Sequence, residues 1–97
     1  MLSLKEIQKK TAPIFNNSEV DFAGVFGSFA RGNASDESDI DIVVRFKRPK
    51  SLLQFFALQD ALEEELGRTV DLATERALHP RLRASILSEL QPIYGER

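Results

Sequence analysis

The residues best placed to do chemistry in this 97-residue chain are its carboxylates and a short run of small residues. Asp39 and Asp41 open an otherwise apolar stretch, Asp39-Ile40-Asp41-Ile42-Val43-Val44. On an extended strand, side chains two apart share a face and lie about 6–7 Å apart along it. Two carboxylates held that way repel, and one pKa rises unless a positive charge lies between them. A hard divalent cation supplies that charge, and Mg²⁺ is usually held by one or two carboxylates plus substrate phosphates. The blander reading is a solvated polar entry to a strand, because a lone Asp-x-Asp is common. Asp71 stands in Val70-Asp71-Leu72, with its apolar neighbours turned to the opposite face. An ionised Asp between core residues calls for a partner. If its strand lies beside the Asp39–Val44 strand, the three acids share one face. Three carboxylates beside a phosphate nest suit two-metal phosphoryl chemistry. There one cation lowers the pKa of an attacking hydroxyl, and the other neutralises a triphosphate and its leaving group.

Gly27-Ser28 follows an apolar run directly. Glycine lets a phosphate approach closely, and the backbone N–H groups after it form an anion-binding nest where a helix begins. Ser28 adds a hydroxyl donor. The alternative is an ordinary strand-to-helix turn with Ser28 as its cap. Arg31 either faces the same phosphates or is a solvated surface residue.

These side chains need elements to hold them. Leu2 to about Asn16 reads as a helix, with Ser3 as N-cap, Glu6 as its capping-box partner, and Leu4, Ile7, Ile14 and Phe15 on one face. Pro13 predicts a kink or an early end. Val20 to Phe26 reads as a strand, Gly27 to Gly32 as a turn opening a short helix, and Asp39 to Phe46 as the strongest strand. Arg45, Lys47, Arg48 and Lys50 carry positive charge into a loop. That charge suits an acidic partner surface or a nucleotide, or else a plain solvated loop. Ser51 to Leu66 predicts a helix capped by Ser51, lined by Leu52, Phe55, Phe56, Leu62 and Leu66, and stopped by Gly67. Thr69 to Ala73 predicts a short strand. Arg81 to about Gln91 predicts a last helix with Leu82, Ile86, Leu87 and Leu90 inward, and Ile93-Tyr94 a terminal extended piece. His79, before a proline, has no assigned role. Tyr94 either packs or accepts a transferred group. The element order implies an α/β (α+β) fold, a small mixed β-sheet with helices packed against it, in one domain over residues 1–97.

Composition narrows the chemistry. The chain is 42% hydrophobic and 29% charged, which places it among folded globular proteins. It has no cysteine, which excludes disulfides, thiolate-held zinc and a Cys nucleophile. Its one histidine leaves a Ser–His–Asp triad or a His-rich metal site little support. A net charge of −2 argues against direct nucleic-acid binding. No apolar run approaches a membrane span and no secretory signal opens the chain, so the expected location is cytoplasmic.

The spacing gives the individual signals their specificity. Gly27-Ser28 is followed by ten residues, Phe29 to Ser38, and then by Asp39-Ile40-Asp41. This resembles the signature of the polymerase-β-type nucleotidyltransferase superfamily. Gly-Ser-Phe-Ala-Arg-Gly and Ser-Asp-Ile-Asp-Ile-Val-Val look like its minimal nucleotidyltransferase branch, and the resemblance extends through Leu66–Leu72 to Ile93-Tyr94. It implies a Mg²⁺-dependent enzyme in which Gly27 and Ser28 hold the triphosphate of ATP. Asp39 and Asp41 would bind two Mg²⁺ ions, and Asp71 would complete one metal site and help deprotonate the acceptor. It also implies a partner, an all-helical HEPN ribonuclease toxin. The minimal nucleotidyltransferase acts as its antitoxin by moving AMP onto a tyrosine hydroxyl. Two alternatives stay open: a non-catalytic module that masks its partner, and transfer to a small-molecule hydroxyl such as that of an aminoglycoside.

Overall fold

The computed structural model describes residues 2–97. Helix α1 spans Leu4–Asn17, strand β1 Val20–Phe26, helix α2 Gly27–Arg31 and strand β2 Ile40–Phe46. Helix α3 spans Leu52–Leu66, strand β3 Val70–Thr74, helix α4 Pro80–Glu89 and strand β4 Gln91–Gly95, with one 3-10 turn over Glu75–Ala77. The four strands form one mixed sheet in the order β3-β2-β1-β4. Strand β1 pairs antiparallel with β2 and with β4, whereas β2 and β3 run parallel.

Alternation in β2 and β3 decides which face is dry. Ile40, Ile42, Val44, Val70 and Leu72 turn to one side and are buried with Ile7, Phe15, Leu58, Leu62 and Leu66 from α1 and α3. A one-residue slip in register would turn the aspartates inward, so this apolar set fixes the register strongly. Helix α3 starts at a complete capping box, Ser51 with Gln54, and ends at Gly67 in the left-handed conformation. Its inner face also reaches the edge strand: Glu63 Oε2 accepts from Val70 N–H at 2.9 Å, and Gln59 Nε2 donates to Val70 O at 2.9 Å. These bonds satisfy backbone groups that an edge strand otherwise leaves open.

Four expectations change. Pro13 does not end α1, which runs on to Asn17. Its first-turn cap is only half a box: Ser3 Oγ accepts from Glu6 N–H and its hydroxyl bonds the Glu6 carboxylate. In α3, Leu52 and Phe56 are exposed rather than core-facing, and Leu53 is 83% exposed, because the face that reaches the core is Leu58, Leu62 and Leu66 with Phe55 partly buried against it. No residue of α4 is fully buried, and Leu82 is 57% exposed. Helix α4 meets the other sheet face mainly at its last turn, where Leu90 lies over Gly24. A Cβ on Gly24 would come within 2.7 Å of Leu90 Cδ1.

Leu62→Ala should destabilise the protein by about 2–5 kcal/mol, the cost of a large-to-small change in a packed core. Leu53→Ala should change stability by less than about 0.5 kcal/mol, as surface substitutions do. Urea unfolding followed by circular dichroism measures both, and similar costs at the two positions would contradict the burial pattern.

Candidate active site

Strands β2 and β3 pair with Asp41 opposite Asp71. Neighbouring strands lie about 4.8 Å apart, and residues paired across them project to the same face. The two carboxylates are therefore held side by side by backbone pairing alone. Asp39 precedes the first residue of β2 and is exposed, as is Asp71, whereas Asp41 is half-buried. The loop before Asp39 is pinned locally. Ser38 Oγ accepts from Ser35 N–H at 2.8 Å, and Arg68 Nη2 donates to Ser35 O at 2.8 Å while its guanidinium lies over the Phe29 ring. Ile40 N–H then bonds Thr69 O at 3.0 Å and begins the ladder.

Strand β1 brings the second half of the site. Phe26 pairs with Asp41, so the next residue, Gly27, stands directly over that carboxylate. A Cβ at Gly27 would overlap Asp41 Oδ2, and Gly27 has φ +71°, a conformation side chains disfavour. Both facts require glycine here. Phe26 is the residue before α2 and makes no side-chain cap. Ser28 is thus not the cap the plainer reading assigned, but a half-buried residue inside the first turn. Arg31, at the end of α2, is ion-paired to Glu89 at 3.2 Å, and Gly27 N–H donates to the same carboxylate oxygen at 3.2 Å.

The charges on this face are unbalanced. Burial pushes the Asp41 carboxyl up from 3.8 to about 6, with further upward pressure from Asp71 and Asp39 and a hydrogen bond to Asp71 that favours the protonated form. Arg31 opposes this only weakly, as the smallest contribution. The structure therefore brings Gly27, Arg31, Asp41 and Asp71 together, with Asp39 at the margin and near enough to act on Asp41. Among the described residues, no three His, Cys, Asp or Glu side chains converge into a ready cation cage. The donor set nonetheless fits Mg²⁺, which takes one or two protein carboxylates and draws its remaining ligands from water and substrate phosphates.

Two contributors were not among the candidate residues read from the sequence. Arg68 was visible only as one of many surface cations. Glu89 lies 58 residues from Arg31, and no local pattern ties them.

A strand–glycine turn–helix facing paired strand carboxylates is an arrangement for nucleotidyl transfer. The family model "Polymerase beta, Nucleotidyltransferase" matches residues 9–97. The chain belongs to this nucleotidyltransferase family, and it is an enzyme of that class. It is 38% identical over 97 aligned residues to protein adenylyltransferase MntA of Thermococcus cleftensis, covering 93% of this chain and 95% of that protein. A solved structure assigned as a minimal nucleotidyltransferase superposes with TM-score 0.81 at 36% identity, covering 94% of this chain and 96% of the other. The MNT antitoxin complexed with a tri-AMPylated HEPN toxin of Shewanella oneidensis shares the fold, with TM-score 0.74 at 19% identity over 96% of this chain and 73% of that one.

The raised Asp41 value has a definite sign. Between pH 3.8 and about 6 the folded protein keeps a proton that the unfolded chain has lost. This group's contribution to stability therefore falls as pH rises through that window and stays low above it. In chelator, Asp41→Asn should gain in melting temperature relative to wild type as pH rises from about 4 to about 7. Saturating Mg²⁺ with ATP should narrow the gap at neutral pH by stabilising the wild type alone. Paired thermal melts check this, and a gap that does not change with pH would refute it.

Proposed function

We propose that this nucleotidyltransferase is a Mg²⁺-dependent protein adenylyltransferase that acts as an antitoxin. It would transfer AMP from ATP to a tyrosine hydroxyl of a helical HEPN-type toxin. The observation that carries the reading is the in-register pairing of Asp41 with Asp71 beneath Gly27. The relative from Thermococcus cleftensis is named for the same transfer to protein, and the Shewanella oneidensis complex contains a toxin modified by AMP.

In this reading the Gly27 amide, the Ser28 hydroxyl and the Arg31 guanidinium receive the triphosphate oxygens. Charge-assisted N–H···O bonds of this kind are among the stronger protein contacts. Asp39, Asp41 and Asp71 would hold Mg²⁺, which when bound would supply charge to screen the phosphates and lower the pKa of an acceptor hydroxyl. Asp71, exposed beside Asp41, takes the proton as the acceptor oxygen attacks the α-phosphorus. The bond to the β-phosphate oxygen breaks and pyrophosphate leaves. Gly27 keeps the space above Asp41 clear, where a side chain would overlap the carboxylate. The sheet face is open beyond the last turn of α4, so a second protein can bring its hydroxyl to the site. Transfer to a small-molecule hydroxyl would require a pocket around the acceptor. A groove lies around Phe46, Leu52, Phe55 and Ala73, away from Asp39, Asp41 and Asp71.

The test is to incubate the chain with ATP, Mg²⁺ and the helical protein encoded beside it, then weigh that partner by intact-protein mass spectrometry. The partner should gain whole AMP units on tyrosine. Asp71→Asn should slow the gain by about 10²–10⁴-fold, the range for loss of a general base. Asp41→Asn should abolish it. If Asp39→Asn and Asp41→Asn variants still neutralise the partner without any label, the masking alternative replaces the catalytic one.

A further inference from the structure

The contact between α4 and the glycine turn has a chemistry of its own. Glu89 is the last residue of α4 and is half-buried. Its Oε1 accepts from Gly27 N–H at 3.2 Å and from Arg31 Nη1 at 3.2 Å, and its Oε2 accepts from Arg31 Nη1 at 3.3 Å. One backbone amide and one guanidinium, converging on a pair of anionic oxygens, are the donors that a phosphoryl group would use. A carboxylate and a phosphate cannot both occupy them.

The position of Glu89 makes it displaceable. A carboxylate in the last turn of a helix sits at the negative end of the helix dipole, where charge of its sign is disfavoured. Its donors must come from outside the helix, and here they come from the glycine turn and Arg31. Helix α4 is lightly held, with no fully buried residue. The Arg31 side chain is 51% exposed, so the ion pair is in reach of water and screening salt. Leu90 over Gly24 and the pairing of Gln91 with Val25 anchor the backbone beside it, so release is a turn of the Glu89 side chain alone.

We propose that Glu89 is a built-in substitute for a phosphate group, which the triphosphate must displace to reach Gly27 and Arg31. This rests on the reading that the Gly27-Ser28 turn takes the triphosphate. Glu89 keeps Arg31 turned toward the glycine turn while the site is empty. It also weakens nucleotide binding, because each binding event must first break its contacts. Displacement turns the Glu89 carboxylate away from Gly27 and Arg31 while α4 stays anchored at Leu90 and Gln91.

Isothermal titration of the whole chain with Mg·AMP-PNP, with tripolyphosphate and with adenosine tests this, using wild type, Glu89→Gln and Glu89→Ala. Both variants should bind Mg·AMP-PNP and tripolyphosphate more tightly, by roughly threefold to tenfold for loss of one half-exposed charged competitor. Adenosine, which has no phosphate, should bind all three proteins alike. A melting temperature close to wild type confirms that each variant is folded. If wild type binds Mg·AMP-PNP but both folded variants bind it equally or more weakly, the substitute role is overturned and the nucleotide reading stands. A gain for adenosine as large as that for tripolyphosphate also overturns it, by showing a steric effect instead. If wild type binds neither phosphate compound, the nucleotide reading fails and this inference fails with it.

Discussion

The parallel register of β2 and β3 is the constraint from which the site follows. It sets Asp41 against Asp71, two like charges that would separate if the backbone allowed. What prevents separation is on the opposite face. Ile40, Ile42, Val44, Val70 and Leu72 are packed under α1 and α3, and any shift by one residue would exchange them with the aspartates. The hydrophobic effect thus holds together an electrostatically unfavourable pair. Antiparallel pairing of β1 with β2 extends the same logic, because it places Gly27 one step beyond the Phe26–Asp41 pair.

Much of this arrangement was legible because it is periodic or punctuated. Alternation in Asp39–Val44 separated the carboxylate face from the core face before any strand neighbour was known. Ser51 and Gly67 marked the ends of α3 because caps are chosen by local backbone chemistry. The spacing from Gly27-Ser28 to Asp39 pointed to one site through its resemblance to the polymerase-β-type nucleotidyltransferase signature. Other features were closed to such reasoning. The adjacency of β3 to β2 is a long-range pairing, and the sequence supports it only as a condition. Apolar periodicity in Ser51–Leu66 and Arg81–Gln91 shows that a helix has an apolar side, not how much of that side another element covers. Leu52, Phe56 and Leu82 look like core residues by spacing and are left in the open by the extent of the sheet. Pro13 costs a helical hydrogen bond, but packing of Thr11 and Phe15 on either side of it carries α1 through.

The two faces of the sheet are built to different standards. One is sealed by two long helices and carries most of the large buried side chains. The other buries Phe22 and Val43, with Leu90 resting on Gly24 and Glu89 reaching Gly27 and Arg31. Helix α4, with no fully buried residue, has fewer apolar contacts to lose than α1 or α3, so local opening would cost least there.

Charge relates these two halves to one another. Asp39 and Asp71 crowd Asp41 with charge of its own sign, and Gly27 with Arg31 holds the Glu89 carboxylate of α4. A free divalent ion would satisfy the first and leave Glu89 where it is. A bare triphosphate would compete with Glu89 while meeting the repulsion of Asp39, Asp41 and Asp71. On the proposed reading a cation and a polyphosphate arriving together would answer both demands, the carboxylates holding the cation and the amide and guanidinium taking phosphate oxygens in place of Glu89. Selectivity for a metal–nucleotide complex over either component would then need no additional residues. It follows from like charges that the core forces together, set one residue from a turn that can hold an anion only by releasing another.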